Sequence, residues 1–260
     1  MARVTPITSR ENPLLARLRK LAAQPDAYRR QGRVWLEGEH LCRAWLGHAP
    51  GSGVQALIGE SAWAVPALRE LASRVDAVAL LPDALMRGIG TLDAPAPLAF
   101  EVAWPGAGTV RPGAPGIVLD RVQDAGNVGT ILRSAAAFGC TQVVALKGTA
   151  ALWSPKVMRA GMGAHFALNL VEAADPAVLD DLGVPLLATS SHAATALHRA
   201  VLPWPCAWLL GHEGRGVAET LMQRCTQTVR IAQPGGEESL NVAVAAAICR
   251  YESARRRLAG

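Results

Sequence analysis

Three short stretches of the chain carry residue types that could do chemistry together. The first is Leu119-Asp120-Arg121-Val122-Gln123-Asp124-Ala125-Gly126-Asn127-Val128-Gly129-Thr130-Ile131-Leu132-Arg133-Ser134. An apolar run ends there, a polar loop turns, and a helix is expected to start near Asn127. That places Asn127 at the cap and Arg133 nearly two turns further on. Arg133 is an odd choice among Ile131, Leu132, Ala135, Ala136 and Phe138. It is either the solvent face of an amphipathic helix or a cation presented to a ligand. The second stretch, Trp208 to Val217, runs from an apolar strand into a loop with Gly211, Gly214, Gly216 and one carboxylate, Glu213. Glycines allow a backbone to approach a ligand closely, and Glu213 could accept hydrogen bonds from a ribose or brace the loop. The third runs from Gly235 to Ile248: a polar turn with Ser239 and Asn241, then an apolar run. A helix N-terminus offers unpaired N–H donors and the positive end of a dipole to a polar or anionic group. Ordinary capping of that helix by Ser239 is the plainer reading.

The surrounding pattern shows what must position these turns. Apolar runs of buried-strand type occur at 116–119, 142–146, 166–171, 185–189, 207–210 and 228–231, with helical segments between most of them. Buried strands alternating with helices predict a parallel sheet covered on both faces. Upstream lies a smaller α/β unit. It has a helix over 12–24 with Leu14, Leu15, Leu18 and Leu21 on one face, a strand at 34–36, a helix over 37–46, strands at 54–58 and 75–80, and helices over 64–72 and 84–88. Residues 98–102 could close it as a further strand. Between 93 and 116 five prolines and four glycines collect, so 105–115 reads as a linker. The predicted organisation is therefore an N-terminal domain over 1–104, the linker, and a C-terminal domain over 116–260. No internal repeat is visible.

Composition excludes several classes. Half of the 260 residues are hydrophobic, enough for a full core. No apolar run of about 18 residues or more suggests a membrane span, and the polar start, broken by Pro6, is unlike a signal peptide. A cytoplasmic protein with no membrane partner is expected. Five cysteines without a C-x-x-C pair and six scattered histidines support neither zinc nor a disulfide framework, so no metal is expected. No phosphate-binding G-x-x-x-x-G-K-[ST] loop and no G-x-S-x-G elbow occurs. Charge is unevenly placed. Residues 1–45 hold nine Arg or Lys against four acids, a surplus equal to the whole net charge of +5. That is the footprint of a polyanion contact, or else a solvated helix face. Arg17, Arg19 and Lys20 are the first candidates for that polyanion. Lys156 and Arg159, on a helix expected over 154–161, could line its path as well.

The three motifs in this order resemble the SpoU (TrmH) family of RNA 2′-O-ribose methyltransferases, of the SPOUT superfamily. The match is Asn127-Val128-Gly129-x-x-x-Arg133 with Phe138-Gly139, then Leu210-Gly211-x-Glu213-x-x-Gly216, then Glu238-Ser239-Leu240-Asn241-Val242 with Ala245-Ala246. It covers about 116–260. Ser9-Arg10-Glu11-Asn12-Pro13 and Trp35-Leu36-Glu37-Gly38 are similar to the family's ribosomal-protein-like RNA-binding domain. Ala125 departs from the pattern, standing where proline is frequent, and 233–237 is rich in glycine.

The resemblance implies a parallel sheet whose C-terminal segment threads a trefoil knot, a homodimer with active sites at its interface, S-adenosylmethionine as cofactor, and RNA, most of all rRNA, as substrate. It implies catalytic roles for Arg133, Asn127, Ser239 and Asn241. Cofactor contacts would fall at Thr189, Leu210, Gly211, Glu213, Ile231, Ser239 and Leu240. A ribose 2′-OH must lose its proton as it attacks the methyl, so placement and a proton acceptor are needed. A guanidinium seldom gives up its proton, which favours Arg133 as an orienting and electrostatic group, with base action open. The rival readings are a tRNA 2′-O-methyltransferase, a non-catalytic RNA- or ribosome-binding protein of this fold, and an unrelated nucleotide-binding enzyme.

Overall fold

The computed structural model describes residues 2–48, 53–90, 95–235 and 239–258. Glu238, the first letter of the third motif, lies outside the described residues. The chain forms two compact units, one of residues 1–106 with 153–166, the other of 107–152 with 167–260.

The first unit carries β1 (Arg3–Pro6), α1 (Pro13–Ala23), α2 (Ala27–Gln31), β2 (Arg33–Glu37), α3 (Glu39–His48), β3 (Gln55–Gly59), α4 (Glu60–Trp63), α5 (Pro66–Ala72), β4 (Ala77–Leu81), α6 (Asp83–Arg87) and β5 (Leu98–Ala103). Its sheet has the order β1-β4-β3-β5-β2, with β5 antiparallel to both of its neighbours. Helix α1 starts where Asn12 accepts the Leu14 N–H at 2.9 Å and Pro13 presets the first turn. It buries Leu15, Leu18 and Leu21, each contributing roughly 1.5–3 kcal/mol. The polar N-terminal stretch supplies the edge strand β1. Pro6 is tolerated as its last residue, where an edge has no inner ladder to break.

The second unit carries β6 (Gly116–Leu119), α7 (Ala125–Ala137), β7 (Gln142–Leu146), then, beyond α8 (Pro155–Gly161), β8 (Asn169–Ala174), β9 (Leu186–Thr189), β10 (Ala207–Leu210), α9 (Glu219–Met222), β11 (Gln227–Val229) and α10 (Val242–Leu258). All six strands are parallel, in the order β11-β9-β10-β6-β7-β8. Alternate residues feed two cores. Val118, Ala188 and Leu209 face one side of the sheet, while Leu187, Trp208 and Val229 face the other with Cys249 of α10. The Trp208 indole donates to Ser253 Oγ at 3.1 Å, which anchors α10 to that face. Order reverses between β10 and β6, so the turns after β6, β9 and β10 meet at the carboxyl edge where open α/β sheets bind ligands.

Two expectations need correction. Residues 107–115 are not a free linker: Ala107 O accepts from the Glu172 N–H, Asn169 Nδ2 donates to Thr109 O, and Gly113 N donates to Leu182 O, each at 2.8 Å. A Cβ at Gly108 would meet the Leu170 carbonyl, so the strap lies flat on β8. Residues 153–166, assigned by sequence to the C-terminal domain, group with the first unit. There Phe166 packs edge-on to Trp45 at 5.3 Å and His40 Nε2 meets Met162 O at 3.1 Å. Phe166 therefore sits in a 3-10 turn, Ala164–Ala167, and β8 starts three residues later than the apolar run suggested.

Candidate functional site

The three motif turns meet in the second unit. Helix α7 is capped by Asp124, whose carboxylate accepts the Asn127 N–H at 2.7 Å. Asn127 is therefore inside the first turn rather than at the cap, and its side chain is free to bridge. Its Nδ2 donates to Glu213 Oε1 at 3.2 Å, and its Oδ1 accepts from Asn241 Nδ2 at 2.9 Å. Asn241 Oδ1 in turn accepts the Ala243 and Val244 N–H groups at 2.8 and 3.3 Å. Asn241, not Ser239, caps α10, because that helix begins at Val242.

Glu213 also accepts from the Asp124 and Gln123 N–H groups at 3.0 and 3.2 Å. Burial pushes its carboxyl up. Hydrogen bonds from its own backbone N–H, from Asp124, from Asn127 and from Gln123 outweigh that and hold it below the usual carboxylate value. The loop carrying it is tight: His212 and Gly216 exchange two backbone hydrogen bonds of 3.0 and 2.8 Å. A Cβ at Gly211 would land on the Gly216 and Val217 backbone, so only glycine fits there.

Beside this network is a cavity of about 500 Å³, lined by Thr189, Leu209–Val217, Ser239, Leu240, Asn241, Val242 and Ala245, apart from Arg215. A second lobe of about 190 Å³ shares Thr189, Ser239, Leu240 and Ala245 with it and adds Ser190, Ser191, Ile231 and Gln233. Thr189, Leu210, Gly211, Glu213, Ile231, Ser239 and Leu240, the seven expected cofactor contacts, all line one lobe or both. Ser190, Ser191, Gln233 and His212 were not anticipated. Ser190 and Ser191 follow Thr189 directly, and that polar run after a buried strand was the available signal.

No Lys or Arg lines either lobe among the described residues, and Glu213 is the one carboxylate. A triphosphate would find no cation there. A nucleoside carrying a positive centre fits better, met by hydroxyls, amides and a carboxylate. Among the described residues, no group of three or more His, Cys, Asp or Glu is placed to hold a metal ion.

Arg133 is exposed on α7, outside the cavity, and its side chain makes no hydrogen bond or ion pair within the described residues. The five RNA candidates all lie in the first unit, including Lys156 and Arg159 on α8. Arg17 is held by both guanidinium nitrogens on Glu101, a carboxylate only 1% exposed, with Nη2–Oε2 at 3.0 Å. Its head group is thus tied down inside the unit, on a carboxylate that Arg33 Nε also approaches at 3.7 Å. Arg19 reaches the Gly88 carbonyl at 3.2 Å, and Lys20 and Lys156 are exposed.

The family model described as the SpoU rRNA Methylase family matches residues 115–251. An uncharacterized tRNA/rRNA methyltransferase of Synechocystis is 32% identical over 98% of this chain and 96% of its own length. The 23S rRNA (uridine(2479)-2′-O)-methyltransferase of Streptomyces viridochromogenes is 30% identical over 77% of this chain and 74% of its own. The crystal structure of the SpoU methyltransferase AviRb from Streptomyces viridochromogenes in complex with the cofactor AdoMet superposes with a TM-score of 0.85 at 25% identity. It covers 96% of this chain and 100% of the other. A crystal structure of an RNA 2′-O ribose methyltransferase gives 0.80 at 30% identity, covering 98% and 100%. The parallel sheet, the convergent turns and these likenesses agree, and the chain belongs to the SpoU rRNA methylase family.

Proposed function

We propose that this protein is an S-adenosylmethionine-dependent RNA 2′-O-ribose methyltransferase acting on ribosomal RNA. The observation that carries the reading is the Glu213–Asn127–Asn241 chain of hydrogen bonds, which joins all three motif turns at the wall of one cavity that, among the described residues, is free of Lys and Arg. S-adenosylmethionine would supply a methyl already activated on a sulfonium. Backbone groups at Leu210, Gly211 and Leu240 would hold the nucleoside, and Thr189, Ile231 and Ser239 would complete the walls. The protein's task is then to place a ribose 2′-OH in line with the methyl and to manage its proton. Arg133 would orient the hydroxyl or its neighbouring phosphate, with Asn127, Ser239 and Asn241 holding the approach.

Arg133 stands outside the cavity of its own chain, which supports a homodimer in which it completes the partner's site. Helix α10 supports the same reading. Val244, Tyr251 and Leu258 recur one heptad apart and are 47, 54 and 88% exposed, an apolar stripe beside α7. The proposed trefoil knot draws support from the path after β11. Arg230 exchanges hydrogen bonds with Thr195 and Leu197, and α10 then returns to pack on α7 and β10. The basic first unit is proposed as the RNA-binding domain, of ribosomal-protein-like fold, with Arg19, Lys20, Lys156 and Arg159 as contacts and Arg17 in a supporting ion pair. A ribosomal substrate supports a cytoplasmic location for the enzyme. No helix among the described residues is long and apolar enough to cross a membrane. The test is a map of 2′-O-methyl sites in total RNA from cells with and without the gene. One rRNA site lost with the gene supports the reading; an unchanged rRNA map with a lost tRNA site favours the tRNA alternative.

A further inference from the structure

Asp120, the acid that follows β6, has no role in the proposed methyl transfer. It is 3% exposed and holds two ends of the same loop. Its N–H donates to Leu210 O at 2.8 Å, just before residues 211–217. Its Oδ2 accepts the Ala218 N–H at 2.8 Å, just after them. The loop that walls the larger lobe is therefore closed at its base by one residue, while Glu213 ties down its tip.

Asp120 is itself fixed. Arg121 Nε and Nη2 grip its two oxygens at 2.7 and 2.9 Å, a bidentate pair. To do so Arg121 adopts φ 58°, a left-handed backbone that bulky side chains rarely take. The Thr149 hydroxyl holds that turn by accepting the Arg121 N–H at 3.1 Å and donating to Leu119 O at 3.0 Å. Non-glycine residues keep such a backbone only where their surroundings enforce it, and such places cluster at ligand-binding turns. Burial pushes the Asp120 carboxyl up, but the Arg121 and Ala218 hydrogen bonds outweigh it and keep it ionised below the usual range.

We infer that Asp120, locked by Arg121, is a positioning residue for the methyl donor: it closes the base of the 211–217 loop and presets the cavity wall before ligand arrives. A preset wall spares the ordering cost of binding, so the effect is expected in donor affinity rather than in turnover. The inference rests on the proposed cofactor.

Calorimetric titration of the full-length protein with S-adenosylmethionine, beside steady-state methylation kinetics, tests it. For Asp120→Ala, Kd and KM for the donor should rise about tenfold or more, with kcat at saturation within about threefold of the parent. Asp120→Asn keeps an oxygen for Ala218 but loses the charge pair, so a rise of about three- to fivefold is expected with little change in melting temperature. Arg121→Ala should resemble Asp120→Asn. If Asp120→Ala fails to fold, Asp120→Asn decides alone. Donor Kd and KM within about twofold of the parent in Asp120→Asn would overturn the inference, as would a fall in kcat with KM unchanged. A parent protein that binds no S-adenosylmethionine defeats the proposed function itself, and shows this before any substitution is made.

Discussion

The side-chain amides of Asn127 and Asn241, 114 residues apart, meet at 2.9 Å, and the direction of that hydrogen bond is dictated from both ends. Glu213 can only accept, so Asn127 must turn its NH₂ toward it. The N–H groups at the start of α10 can only donate, so Asn241 must turn its oxygen toward them. The remaining oxygen of Asn127 and NH₂ of Asn241 then face each other with the right polarity. A one-way chain runs from a carboxylate through two amides to a helix start.

That polarity makes Asn127→Asp worse than Asn127→Ala, although Asp is the closer isostere. The new carboxylate would face Glu213 with no proton between them. The expected loss is about 1–3 kcal/mol of stability beyond the alanine variant, read by chemical denaturation. A double-mutant cycle with Asn241→Ala should show coupling of at least about 0.5 kcal/mol. Strict additivity would mean that the contact carries no energy.

Gly211→Ala is expected to displace the loop, since its Cβ has only the Gly216 and Val217 backbone to move against. Donor affinity should fall by about tenfold or more while far-ultraviolet circular dichroism stays unchanged. Gly235→Ala, where nothing among the described residues lies within 4 Å of the added carbon, should leave affinity intact and serves as the control.

How far the sequence could be read depends on how local each signal was. Strand, turn and helix letters are local, so the three motif turns and the parallel strands around them were legible, and the family's letters added the cavity contacts. Asn241 and Ser239 are both good caps. Which one caps depends on where α10 begins, and the apolar letters from Val242 onward suit either start. The Arg17–Glu101 pair spans 84 residues and exists because β5 brings a carboxylate under α1. No charge count could separate that arginine from a solvated one. The grouping of α8 with the first unit was likewise hidden, because it rests on aromatic packing such as Phe166 against Trp45.

Acid should weaken the C-terminal helix in a defined window. Hydrogen bonds from Arg255 act first in holding Glu252 down, to about 2 from an ordinary 4.5, with Arg256 adding to it. Its folded-state value is depressed, so its contribution is fully present above 4.5 and is lost as pH falls from there toward about 2. Glu252→Gln should flatten the stability profile across that range and leave it unchanged near neutrality. Urea denaturation at stepped pH makes the comparison.

Charge on the exposed stripe of α10 should separate the proposed dimer. Tyr251→Asp is expected to shift sedimentation equilibrium from twice 27.3 kDa toward 27.3 kDa. Methyl transfer should be lost and a folded chain retained. A parent protein that sediments at 27.3 kDa would remove the shared-site reading of Arg133.

The most direct measurement is transfer of a labelled methyl from S-adenosylmethionine to purified rRNA, followed by alkaline hydrolysis. Alkali cuts RNA through the free 2′-oxygen, so a methyl there protects the adjoining linkage. The account predicts label in one alkali-resistant dinucleotide with the parent protein and none with Arg133→Ala, which should remain folded. Label that appears in alkali-sensitive mononucleotides, or full transfer by Arg133→Ala, would contradict it.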